Sequence, residues 1–143
     1  MGKKRVIKQS GGNRASLKER SLSNAPKRKL LSGILHINST YNNTRVSLVD
    51  KKGDLVCSSS SGSVGFKGAK KGTPFAASKV GELIGEKAKM MGVKEVDVVV
   101  NGVGAGRESA IRGFLGCGAE INVIKDVTPV PHNGPRAKKP RRV

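Results

Sequence analysis

Positive charge is spread along this chain in a way that leaves only its middle free to build a core. Residues 1–32 carry ten Lys and Arg against one acid, and residues 126–143 carry five against one. Segments so charged and so poor in apolar side chains cannot bury enough surface to offset the entropy of ordering them. Residues 33–125 carry thirteen basic and eight acidic residues, an ordinary balance for a packed domain. The expected organisation is therefore a basic N-terminal extension at 1–32, one α/β domain at 33–125 and a basic tail at 126–143. Pro129, Pro131, Pro135 and Pro140 keep that tail out of helix.

A formal charge of +18 on 143 residues repels itself unless a polyanion neutralises it. Nucleic acid, an anionic membrane surface and an acidic protein are the candidate partners. No apolar run approaches the ~18–20 residues that cross a bilayer, and residues 1–32 show no secretory signal, so no spanning segment is expected and no membrane is counted among the expected partners. The stretch 14–31, rich in Arg, Lys and Ser with Glu19 as its one acid, has the composition of an organelle transit segment. Cys57 and Cys117 lie far apart and form no CxxC, so both are expected to be reduced and packed. With His36 and His132 they give no zinc-ligand spacing, and no metal is expected.

Within 33–125 the pattern reads as β-β-β-α-β-α-β. Short strands are expected at 34–38, 44–49 and 55–59, the last two joined by the turn Lys51-Lys52-Gly53-Asp54, as an antiparallel meander. A Ser-, Gly- and Lys-rich loop at 58–72 precedes Thr73-Pro74, a good helix start because Thr caps and Pro suits the first helical position. Ala76, Val80, Leu83, Ile84, Ala88 and Met91 then follow the helical period up to a stop at Gly92. A buried strand at 95–100, a glycine loop at 102–106, a second helix at 107–115 burying Ala110, Ile111, Phe114 and Leu115, and a strand at 121–124 complete the order. The fold class is α/β: a five-stranded mixed sheet, built from a meander plus two strand–helix units, with helices packed on it.

The glycine loop Gly102-Val103-Gly104-Ala105-Gly106 sits between strand and helix, where backbone N–H groups hold a phosphate. It lacks G-x-G-x-x-G, since the positions that need the third glycine hold Arg107 or Ser109, and no dinucleotide cofactor is expected. What it suits is a backbone phosphate, with Arg107 adding a two-pronged contact. Residues 58–72 likewise miss the P-loop pattern. They offer Lys67, Lys70 and Lys71 with Phe66 beside them, which suits an RNA backbone with a stacked base. Clustered carboxylates are missing: Asp50 and Asp54 flank a turn with Lys51 and Lys52 and read as surface charge. His36 reads as a satisfied or exposed strand residue, and no nucleophile has an orienting acid, so no catalytic residue is assigned. Aromatics are few (Tyr41, Phe66, Phe75 and Phe114), so recognition should rest on charge, loops and RNA shape rather than base stacking.

Five stretches together resemble one family. Ser39-Thr40-Tyr41-Asn42-Asn43-Thr44, Gly65-Phe66-Lys67-Gly68, Lys71-Gly72-Thr73-Pro74-Phe75-Ala76-Ala77, Gly104-Ala105-Gly106-Arg107-Glu108 and Asp126-Val127-Thr128-Pro129-Val130-Pro131-His132-Asn133-Gly134 recur in this order in the family of the eleventh protein of the small ribosomal subunit. The resemblance covers 33–143, and the ending resembles the bacterial and organellar branch. It implies a ribonuclease-H-like fold without nuclease function, no enzyme activity, no cofactor, and a place on the platform of the small subunit in a cytoplasmic, bacterial ribosome, with an organellar ribosome as the other home. The implied partners are the central domain and 3′ region of small-subunit rRNA and the sixth, seventh, eighteenth and twenty-first proteins of that subunit. Messenger RNA and the Shine–Dalgarno duplex lie nearby, and no homo-oligomer is implied. By position, the implied rRNA contacts are Asn42, Asn43, Thr44, Lys67, Lys70, Lys71, Arg107, His132, Asn133, Arg136, Lys138, Lys139, Arg141 and Arg142. Two departures stand out: Tyr41 replaces the usual Phe, and Gly134-Pro135-Arg136-Ala137-Lys138-Lys139-Pro140 replaces Gly-Cys-Arg-Pro-Pro, keeping charge and stiffness while moving prolines. The competing expectations are a nuclease or NTPase on the same sheet, and an independent basic nucleic-acid-binding or membrane-surface module outside the ribosome.

Overall fold

The computed structural model describes Leu22 and residues 28–140. Most of the expected extension at 1–32, and Arg141 and Arg142, therefore lie outside the described residues. The strands are β1 (Ser32–Ser39), β2 (Thr44–Asp50), β3 (Leu55–Ser60), β4 (Glu95–Asn101) and β5 (Glu120–Asp126), with helices α1 (Pro74–Met91) and α2 (Arg107–Leu115). They form one sheet in the order β3-β2-β1-β4-β5. β1 pairs antiparallel with β2 (Ile37 opposite Val46) and parallel with β4 (Ile37 opposite Val100), so the sheet is mixed about its central strand. The loop expected over 58–72 is shorter than its composition suggests. Ser58 to Ser60 complete β3, and Gly68–Gly72 winds into a short 3-10 helix.

Burial alternates along the strands, because successive side chains point to opposite faces. Leu35, Ile37, Val46, Leu48, Val96, Val98 and Val100 are buried, while His36, Asn38 and Arg45 are exposed on the other face. Among the described residues the run at 95–101 is thus fully covered on one face, with Asp97, Val99 and Asn101 half-buried on the other. The reason is the placement of the helices. α1 packs on β2 and β3, α2 packs on β1, and the two helices pack on each other, which gives a single helical layer. Leu30, within the expected extension, joins the core, and its amide donates to the Met91 carbonyl (3.1 Å).

The contact between the helices is made by glycines. A Cβ at Gly81 would overlap the Ala110 carbonyl, one at Gly113 would overlap the Ser78 carbonyl, and one at Gly85 would lie 2.6 Å from Cys117 Sγ. This corrects the expected buried face of α2. Ala110, Gly113 and Phe114 are buried, Ile111 is half-buried, and Leu115 is 42% exposed. The close approach turns α2 on its glycine edge and swings Leu115 out. All six apolar positions expected along α1 are buried. Each large side chain among them contributes roughly 1.5–3 kcal/mol of transfer free energy.

Candidate nucleic-acid interface

Strands β1, β3, β4 and β5 all run toward one end of the sheet, where α1 and α2 begin. Every motif singled out in the sequence leaves from that end: the turn at 40–43, the lysine loop at 61–73, the glycine loop at 102–106 and the tail from residue 127. Helix N-termini carry partial positive charge, so this end is electropositive before any side chain is counted. The opposite end holds the turn with Lys51 and Lys52, whose carboxylate neighbour Asp50 accepts from the Lys51 amide (2.6 Å).

The β1–β2 turn is closed by the Thr40 amide donating to the Asn43 carbonyl (2.9 Å) and the Asn43 amide donating to Thr40 Oγ1 (3.1 Å). Two glycine segments grip it. A Cβ at Gly72 would overlap the Tyr41 carbonyl and lie 3.4 Å from Asn42 Cα, while one at Gly104 would overlap the Thr40 carbonyl. The first grip brings the backbone that directly follows Lys70 and Lys71 beside Asn42, and Lys71 lies along Gly62 (3.7 Å from where a Cβ would stand). Asn42, Lys67 and Lys70 are exposed, and Asn43 and Lys71 are half-buried. Asn43 Oδ1 is buried with no hydrogen-bond partner among the described residues. Thr44 is fully buried, 3.3 Å from Ser39 Oγ, so its hydroxyl braces the hairpin from inside. Thr73 caps α1 as expected: its hydroxyl accepts from the Ala76 amide (3.3 Å) and donates to the Lys70 carbonyl (2.7 Å), which ties the lysine turn to the helix.

Arg107 is engaged within the chain. Its guanidinium donates to the Gly102 carbonyl, to Thr128 Oγ1 (3.0 Å) and, as an ion pair, to Asp126. Thr128 closes the clamp, accepting from the Gly102 amide (3.2 Å) and donating to Asp126 Oδ1 (2.6 Å), while its own amide donates to the same carboxylate (2.9 Å). These two Thr128 bonds, with the Arg107 guanidinium behind them, hold the Asp126 carboxyl down at about 2. The Val127 amide continues the ladder by donating to the Val100 carbonyl (2.9 Å). The tail therefore leaves from a fixed point. Beyond it His132, Asn133, Arg136, Lys138 and Lys139 are exposed and free of regular structure, with Asn133 in the left-handed region (φ 55°). Reasoning from sequence missed Asp126 and Thr128 as parts of this clamp, although both stand in the motif that begins the tail.

A cleft of about 290 Å³ between α2 and β5 is lined by Val100, Arg107, Glu108, Ile111, Ile124 and Asp126, and its one carboxylate–guanidinium pair is the clamp itself. Among the described residues no group of three His, Cys, Asp or Glu side chains is placed to hold a metal ion, and no helix is long and apolar enough to cross a membrane. Among the described residues neither cysteine is in a disulfide: the Cys117 thiol donates to the Glu82 carbonyl (3.6 Å), and Cys57 is buried in the core, where desolvation raises its pKa against the opposing pull of Lys87 and a Leu48 backbone bond.

The family described as Ribosomal protein S11 matches residues 33–142. The chain is 54% identical over 117 residues to the small ribosomal subunit protein uS11 of Rippkaea orientalis, covering 82% of this chain and 90% of that one. It is 51% identical over 125 residues to the protein of the same name from Acaryochloris marina (87% and 96% covered), and 53% identical over 117 residues to that of Gloeobacter violaceus (82% and 90%).

Proposed function

Because the chain belongs to the ribosomal protein S11 family, a family of structural rather than enzymatic proteins, we propose that it serves the small ribosomal subunit by gripping rRNA with the loop end of its domain and with its C-terminal tail. One observation carries this reading: Asn42, Asn43, Lys67, Lys70, Lys71 and the clamped root of the tail meet at a single end of the sheet, beside two helix N-termini. The chemistry is charge neutralisation. Lysines and helix ends offset phosphate repulsion where RNA helices crowd together, and the tail extends the same charge into the RNA. With ~6–10 phosphates contacted, affinity for isolated rRNA falls by ~10³-fold or more between low and moderate salt.

The finer placement that we propose rests on the five-motif resemblance alone. It sets the chain on the platform, against the central domain and 3′ region of the rRNA, near messenger RNA and the Shine–Dalgarno duplex. Its protein neighbours there are the sixth, seventh, eighteenth and twenty-first of the subunit, and the cyanobacterial relatives favour a bacterial, cytoplasmic ribosome. A tagged full-length chain, expressed in cells and fractionated from a gentle lysate, should sediment with small subunits. Recovery only in the light fractions would instead mark an independent nucleic-acid-binding module.

A further inference from the structure

We infer that Phe75 is a stacking platform for one unpaired RNA base, an inference that rests on the RNA-binding reading above. Phe75 is the second residue of α1, at the loop end, and is 62% exposed. A phenylalanine left in water needs a reason, and its surroundings supply one. Its ring is held in place from two directions: Phe66 meets it at 87° with centroids 5.9 Å apart, and Lys79 Nζ stands 5.7 Å from its centroid. A ring fixed in this way loses little freedom when something lies on it. Gly72, three residues earlier, packs on the backbone of Tyr41, itself 78% exposed, so both open aromatics of this end lie on adjoining backbone.

The setting selects the occupant. A protein partner burying Phe75 would want an apolar rim, whereas this ring has Lys79 over it, itself paired with Glu82 (2.8 Å), and follows Lys67, Lys70 and Lys71 within eight residues of sequence, three exposed or half-buried cations suited to the phosphates on either side of a splayed base. The half-buried Phe66, the aromatic that the sequence places beside the lysines, supports the ring of Phe75 rather than being the more open face.

The test uses the full-length chain and naked small-subunit rRNA. Because the chain has no tryptophan, Phe75→Trp introduces a lone indole whose fluorescence reports stacking directly. Phe75→Leu should weaken rRNA binding about tenfold, the size of one base–aromatic stack, by the same factor at every salt concentration, since stacking releases no counterions. Phe75→Trp should bind like the parent and its indole should be quenched on binding. Circular dichroism checks that both variants stay folded. Parent-like binding by Phe75→Leu, or an unquenched indole in bound Phe75→Trp, overturns the inference. If the parent chain itself fails to bind the rRNA, the proposed function fails instead, so the two failures are distinguishable.

Discussion

At the scale of single residues, the clamp of Arg107, Asp126 and Thr128 decides where the tail begins. The Asp126 carboxyl lies at about 2, below the ordinary carboxylate value near 3.9, so the folded state favours its ionised form. The resulting contribution is fully present above the ordinary value and is lost as pH falls through about 2. The Thr128 amide resonance should accordingly keep its folded shift down to about pH 3 and move only below it; a midpoint near 4 would show that the clamp does not hold in solution. Thr128→Val removes the hydroxyl that joins all three partners. It should leave the melting temperature of the domain unchanged while raising the ps–ns mobility of residues 127–131, read by ¹⁵N relaxation. Sequence alone exposes Arg107 and its proximity to a glycine loop, from which a phosphate contact is the natural inference. It does not expose the partner nineteen residues on, because that pairing exists only once β4 and β5 lie side by side.

At the scale of elements, the helical layer depends on backbone contact between α1 and α2. Gly81→Ala and Gly113→Ala each force a methyl group into a carbonyl oxygen of the other helix, and should destabilise the domain by about 1–3 kcal/mol or more in urea titrations. Leu115→Ala, on the exposed side of α2, should stay within about 0.5 kcal/mol of the parent. Leu83→Asp buries an unpaired charge under α1 and should unfold the domain, seen as loss of far-UV circular dichroism. These contrasts also mark what was legible. The order of strands and helices, the cap at Thr73 and the apolar stripe of α1 follow from periodicity and local chemistry, and the structure has them at those places. The buried face of α2 did not follow, because hydropathy weighs Leu115 above Gly113 while close packing reverses that order. Nor did the one-sided cover of β4: the run at 95–100 reads simply as a buried strand until both described helices are seen to share one side of the sheet.

At the scale of the whole molecule, what matters is where the basic loops lie on the sheet. The composition announces a polyanion partner, and the five motifs identify the family, but neither states that the turn, the lysine loop, the glycine loop and the root of the tail share one end of the sheet. Topology supplies that, since every strand parallel to β1 ends where both helices start. The most direct test compares two triple variants with identical charge loss on full-length chain binding to small-subunit rRNA across a salt series. Lys67, Lys70 and Lys71 replaced by Gln empties the loop end, and Lys51, Lys52 and Lys94 replaced by Gln empties the opposite end. The loop-end variant should bind more weakly at low salt and lose about 2 from the slope of log affinity against log salt, while the opposite-end variant keeps the parent slope. Equal slopes for the two variants would contradict a localised grip and leave only diffuse attraction between a basic chain and RNA.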